Sequence, residues 1–186
     1  ANPFGYISPT SPQHVDAQLG DKISYILDGG KCKVGLESTI VGMEAEEIVV
    51  YRLGGLEISE IEQLIGPVQV KSHSTSNPQA PGLLESHYAP TKPFLIGDLE
   101  ILILDHIKMG VEFAVLSLDQ SFPDIPTSNQ IALSINADLK EAATHLFAAM
   151  RTLDGSNATV ILAELMPEEG LGKAINDRLK RAATKG

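Results

Sequence analysis

One apolar stripe limits the fold more than any other feature of this chain. Leu139, Ala142, Ala143, Leu146, Phe147 and Met150 fall at i, i+3, i+4, i+7, i+8 and i+11 after Asp138, so one face of a helix carries them all. Such a face has to be covered by a second layer. Strand-length apolar runs at residues 94–96, 113–118, 131–135 and 158–162 can supply it. Leu99, Leu102, Ile103 and Ile107 lie at helical spacing between the first two runs. A last helix starts at about Leu171, with Ile175, Leu179 and Ala182 inward and Lys180, Arg181 and Lys185 at its carboxyl end, where they compensate the helix dipole. Strand and helix therefore alternate, which predicts a small, open, mostly parallel α/β sheet with right-handed crossovers over residues 94–186, able to fold as a unit.

Residues 72–93 have a different composition: serine, asparagine and four prolines, with neither a helical nor a strand period. An unstructured stretch of that length in a compact domain is either a connector or a functional lid, and its prolines favour extended, semi-rigid geometry. Residues 1–71 precede it. Thr10 or Ser11 opens a helix there: Thr10 as N-cap would pair with Gln13 in a capping box, while Ser11 as N-cap would put Pro12 at its favoured first position, and Gly20 ends the helix in either case. Residues 23–27, 38–41 and 48–53 read as strands, the last two joined as a hairpin across the acidic residues 44–47. Ser59, with Glu62 three residues on, opens a short helix that Gly66 and Pro67 stop.

Charge narrows the classes of partner. The net charge of −10 is shared by both parts, with five basic and ten acidic residues over 1–71 and nine and fourteen over 72–186. Neither part carries the basic stripe that holds a nucleic-acid backbone, so strong direct RNA or DNA binding is not expected. Small polar substrates need only a few placed cations. No apolar run approaches the roughly 20 residues that span a bilayer, and the opening residues lack a signal peptide's charged and apolar regions, which predicts a cytoplasmic protein. A single cysteine, Cys32, excludes an internal disulfide and reads as a packed side chain. His14, His73, His106 and His145 show no paired ligand spacing, so no metal site is expected. Gly170-Leu171-Gly172-Lys173 lacks the spacing and the hydroxyl of a phosphate loop.

Four places carry side chains suited to chemistry. Ser8 and Thr10 precede a helix start, which serves either for capping or as an anion site. Glu37-Ser38-Thr39 enters an apolar run and is either a polar strand edge or a pocket wall. Arg52 ends an apolar run, where its planar fork either reaches solvent or grips phosphate oxygens in two places. His87-Tyr88, in the proline-rich stretch, is either an aromatic plug tying that stretch to a domain or part of a lid.

These runs, Gly35-Leu36-Glu37-Ser38-Thr39-Ile40 and Ala80-Pro81-Gly82-Leu83-Leu84-Glu85-Ser86-His87-Tyr88-Ala89-Pro90, with Ser8-Pro9-Thr10 and Arg52-Leu53-Gly54, resemble the threonylcarbamoyl-AMP synthase family. The resemblance covers nearly the whole chain. It implies the carboxyl-terminal portion of a YrdC-like catalytic α/β domain over residues 1–71, a linker or lid over 72–93, and a small Rossmann-like domain over 94–186. By the same resemblance Asn2, Ser8, Arg52, His87 and Tyr88 face ATP, Ser38 lines the threonine pocket, and Leu53 stands where the family has proline. The implied reaction joins L-threonine, bicarbonate and ATP into threonylcarbamoyl-AMP and pyrophosphate for threonylcarbamoyladenosine modification of tRNA, with Mg2+ on the triphosphate and possible contact with the tRNA-modification machinery. Ala1 corresponds to the middle of the family's catalytic domain, whose lysine- and arginine-rich strands are not in this sequence, so the expectation is an incomplete and inactive chain. The competing expectation is a non-catalytic nucleotide-binding or regulatory α/β module.

Overall fold

A computed structural model describes residues 2–71 and 87–184. Seven strands and five α-helices follow one another in it, in the order α1 (Pro12–Leu19), β1 (Ile40–Glu44), β2 (Glu47–Arg52), α2 (Ile58–Ile65), β3 (Gln69–Val70), β4 (Phe94–Ile96), α3 (Leu99–Met109), β5 (Phe113–Ser117), β6 (Gln130–Ala132), α4 (Leu139–Asp154), β7 (Val160–Ala163) and α5 (Gly172–Ala183).

The later strands form one four-stranded sheet in the order β4-β7-β5-β6, and every pairing in it is parallel. β7 is buried at all four positions and β5 at four of five, as strands covered on both faces must be. The stripe of α4 packs on this sheet, with Ala142, Ala143, Leu146, Phe147 and Met150 buried. Asp138 caps α4 by accepting from the backbone N–H groups of Lys140 and Glu141, and Asp98 caps α3 in the same way through Ile101. On the other face, Leu99 and Ile103 of α3 pack against Val115 and Leu162. The mostly parallel α/β architecture is thus as the alternation predicts. The third strand differs: it occupies Gln130–Ala132 rather than residues 131–135, because Ile135 is 86% exposed past the point where the ladder with β5 ends.

The earlier part forms a three-stranded sheet, β1-β2-β3, in which β1 and β2 are the predicted antiparallel hairpin and β3 adds in parallel. Ser11, not Thr10, is the N-cap of α1 and accepts from the His14 N–H, with Pro12 in the first turn. α2 starts one residue before Ser59, after Glu57. Ser59 sits in its first turn, and Glu62 accepts from the Val68 N–H instead of closing a capping box. Residues 23–27 are not a strand. They pair with no ladder among the described residues, and Tyr25 and Leu27 are almost fully exposed, so the apolar run has neither a neighbour nor a surface to cover. Most of the 72–93 stretch lies outside the described residues.

The two parts share a core. Ile7 is fully buried in the cluster formed by α4, α5 and the parallel sheet, and Tyr88 joins it at 1% exposure. Tyr6 pairs with Ala89 in a parallel bridge, and the Ala89 N–H donates to the Gly5 carbonyl. Gly35, at φ +81°, lies against α4 so closely that a Cβ would overlap the Ala143 carbonyl.

Candidate functional site

The residues singled out in sequence converge where the β1–β2 hairpin, the Ser8 loop, the His87-Tyr88 segment and α5 meet. Arg52 ends β2 and turns back on the segment before β1, its Nε donating to the Ser38 carbonyl at 3.0 Å and its Nη2 to Ser38 Oγ at 3.1 Å. Gly54 makes that reversal possible, since a Cβ there would overlap the backbone of residues 37–39. One residue before Ser38, Glu37 accepts from Ser8 Oγ at 2.6 Å through Oε1, and from Arg178 Nε and Nη2 at 3.2 and 3.0 Å through Oε2. Burial pushes the Glu37 carboxyl up, but the Arg178 charge and the Ser8 hydroxyl outweigh it and hold the group below the usual carboxylate range.

Arg178 is fully buried on α5, its guanidinium 5.6 Å from the centroid of the Tyr88 ring and its Nη1 donating to Asp177 at 3.1 Å. Asp177 also accepts from Arg181, one turn further along. Tyr88 packs on Phe147 at 5.3 Å between ring centroids and holds φ +61°, a left-handed backbone rare for a bulky side chain. Its phenol is pushed up by burial against the opposing pull of Arg178. His87 meets the Tyr88 ring edge-on at 4.1 Å and donates its backbone N–H to the Arg181 carbonyl. Burial lowers the His87 pKa, Glu37 opposes the shift, and Arg181, Arg178 and Arg52 reinforce it, so the imidazole is neutral at pH 7. Its buried Nδ1 has no hydrogen-bond partner among the described residues.

Ser8, Ser38, Arg52, His87 and Tyr88 are thereby brought into one neighbourhood. Asn2 is not tied into it: its amide donates to the carbonyls of Pro3 and Tyr6, both at 3.1 Å, and so shapes its own loop. Sequence reasoning missed Arg178, Asp177 and the pairing role of Glu37. Arg178 lies three residues after Ile175 and four before Ala182, on the apolar stripe of α5, and a cation on a buried stripe is a detectable signal. Arg181, in the last turn of α5, is 7% exposed and held by Asp177, so it faces inward as well as standing at the end of the helix where a cation suits the dipole.

A second polar junction lies on the far side of the Ser8 loop. Asp154, at the end of α4, accepts from Tyr6 Oη at 2.7 Å, Thr91 Oγ1 at 2.9 Å, and the N–H groups of Thr91 and Lys92 at 3.1 Å. Arg151 lies over the Tyr6 ring and donates to the carbonyls of Ile7 and Ser8 and to Gln18. These bonds fix the loop that carries Ser8.

Chemically, the neighbourhood offers the Arg52 guanidinium, hydroxyls from Ser8 and Ser38 and a neutral imidazole, a set suited to an anionic ligand such as a nucleotide, while the buried Arg178 and Tyr88 hold these groups in place. Among the described residues no group of three or more His, Cys, Asp or Glu side chains could hold a metal ion. The two carboxylates of the site, Glu37 and Asp177, are spent on arginine. No helix among the described residues is long and apolar enough to cross a membrane.

Fold and site define a two-sheet α/β protein whose polar centre is shared between its earlier and later halves. Comparison with known proteins agrees. The model for the threonylcarbamoyl-AMP synthase C-terminal domain matches residues 56–184, and a model described as telomere recombination matches residues 1–54. The chain belongs to the threonylcarbamoyl-AMP synthase family. The threonylcarbamoyl-AMP synthase of Bacillus subtilis is 33% identical over 98% of this chain and 55% of its own length, and that of Pyrococcus abyssi is 32% identical over 98% and 56%. The crystal structure of P. abyssi Sua5 complexed with L-threonine matches at a TM-score of 0.87 and 32% identity, again over 98% of this chain and 56% of that one. A P. abyssi Sua5 variant with a histidine and the tyrosine after it both changed to alanine matches at 0.84 and 30% identity, covering 98% and 55%. The chain thus spans about half the length of the curated relatives it matches.

Proposed function

We propose that the protein is an L-threonylcarbamoyladenylate synthase, a nucleotidyltransferase that joins L-threonine, bicarbonate and ATP into threonylcarbamoyl-AMP and pyrophosphate. The observation that carries this reading is the meeting of Ser38 and Arg52 with Glu37, Ser8, His87 and Tyr88 in one polar centre. Membership of the family and the likeness to a threonine-bound relative support it.

In this mechanism bicarbonate takes up a proton and loses water to give carbon dioxide, and the threonine amine adds to its carbon and releases a proton, so that the net change is a carbamate and one water. The resulting carbamate oxygen attacks the α-phosphate, and pyrophosphate leaves. The protein's part is positioning and charge neutralisation. Arg52 leaves its bond to Ser38 Oγ for a phosphate oxygen, which frees that hydroxyl for threonine. Ser8 lines the ATP side, and Asn2, bonded to the carbonyls of Pro3 and Tyr6, shapes the loop that leads to it. His87, neutral at pH 7, offers to the nucleotide its Nδ1, which has no partner among the described residues, and Tyr88, packed between Phe147 and Arg178, anchors the segment that carries it. Residues 72–93 act as a lid between a domain portion at 1–71 and a second domain at 94–186, keeping water from a labile acyl-adenylate. Mg2+ would come bound to the triphosphate, with phosphate oxygens and water as its ligands, and would neutralise charge there, so that no residue of this chain is assigned to it. The product then passes to the machinery that modifies an adenosine of tRNA.

The test is direct: the full-length protein is incubated with L-threonine, ATP and isotopically labelled bicarbonate, and the products are read by mass spectrometry. Threonylcarbamoyl-AMP carrying the label, lost when any one substrate is omitted, is the expected result. Nucleotide binding without that product would refute the assignment.

A further inference from the structure

The geometry points to Arg178 as a positioning residue through which the later α/β half completes the nucleotide side of the site, an inference that rests on the function proposed above. Arg178 belongs to α5, outside every segment singled out in sequence for substrate contact, yet a single guanidinium joins three of those segments. Its Nε and Nη2 both bond Oε2 of Glu37, whose other oxygen holds Ser8 Oγ. Its face covers the Tyr88 ring at 5.6 Å. Glu37 precedes Ser38, which Arg52 grips by both its carbonyl and its hydroxyl. The Arg178 fork therefore sets the Glu37 side chain, Glu37 sets the Ser8 hydroxyl, and the guanidinium plane supports a tyrosine whose own backbone is in a costly conformation.

Stability alone does not explain such a group. A fully buried guanidinium loses its hydration, and apolar residues of similar volume generally serve a fold as well as a buried ion pair or better. What an apolar pair cannot do is fix two hydroxyl-bearing loops and an aromatic ring at one point. Lysine cannot do it either, since a point charge has neither the fork nor the flat face.

The experiment compares wild type with Arg178→Lys, Glu37→Gln and the double variant Glu37→Met/Arg178→Met in the full-length protein. ATP and L-threonine affinities are measured by calorimetry, and melting temperature is recorded alongside. Each variant is expected to lose at least about tenfold in ATP affinity, about 1.4 kcal/mol, with a smaller change for threonine. The apolar double variant is expected to melt close to wild type. A purely structural tie would instead lower the melting temperature of the single variants and leave ATP affinity in the folded protein unchanged, which would overturn the inference. If Arg178→Lys does not fold, Glu37→Gln and the apolar pair decide in the same way. Absence of ATP binding already in wild type would overturn the nucleotide reading itself, and this inference with it.

Discussion

Removing the Asp154 carboxylate should loosen the junction that fixes the Ser8 loop. Asp154 is 8% exposed and accepts four hydrogen bonds, two from hydroxyls and two from the backbone N–H groups of Thr91 and Lys92. In Asp154→Ala the hydroxyls of Tyr6 and Thr91 can rotate toward water, but the two N–H groups lose this acceptor in a partly buried place. Stranding a buried donor costs about 1–3 kcal/mol, and bonds to a charged acceptor lie at the upper end of the hydrogen-bond range. A loss of about 3–4 kcal/mol follows, a large share of the roughly 5–15 kcal/mol that holds a domain folded. Asp154→Asn keeps one acceptor oxygen and should lose about half as much. Urea unfolding followed by circular dichroism suits a chain without tryptophan, and the midpoint should fall with little change in slope. The pH dependence has a definite sign. Burial raises the Asp154 pKa, but the bonds from Tyr6, Thr91 and Lys92 outweigh it and hold the native value below the usual 3.8. The part of its contribution that depends on ionisation is therefore present above that usual value and is lost as pH falls through the depressed native one, so the gap between wild type and Asp154→Ala should be widest at pH 7 and narrow in acid. A difference below about 1 kcal/mol at pH 7, or one that does not shrink in acid, would refute the reasoning.

Other substitutions address the substrate side. Arg52→Ala should weaken ATP use far more than threonine use, by about 1.5–3 kcal/mol for a lost charge-assisted phosphate contact, and an unchanged apparent ATP affinity in steady-state kinetics would reject that role. Replacing His87 and Tyr88 together by alanine should depress synthesis and raise futile ATP hydrolysis. Undiminished product at a matched melting temperature would count against the lid.

How far the sequence discloses this depends on whether a feature is local. The α4 stripe and the runs at β4, β5 and β7 are visible because burial on one face or on both writes a period into the chain. Residues 23–27 mislead because a strand also needs a neighbour, which no local pattern reports. The polar centre shows the same division. Ser8, Ser38, Arg52, His87 and Tyr88 stand out as polar or aromatic groups in unusual company, whereas their convergence depends on α5 and on the shared core around Ile7. Asp154 and Arg178 could have been found: each is a charge at a stripe position of its helix, Asp154 four residues after Met150 and Arg178 three after Ile175, and a charge there implies that another segment arrives to pair with it.

Calorimetric titration of L-threonine into the full-length protein, with ATP present, tests the central claim most directly, because it separates a synthase of this family from a generic nucleotide-binding module. The account predicts saturable binding of one threonine per chain, at least about tenfold weaker for L-valine, which lacks the hydroxyl that a polar pocket would pair, and weakened by Ser38→Ala. ATP binding with no response to threonine, or equal affinity for valine, would contradict it.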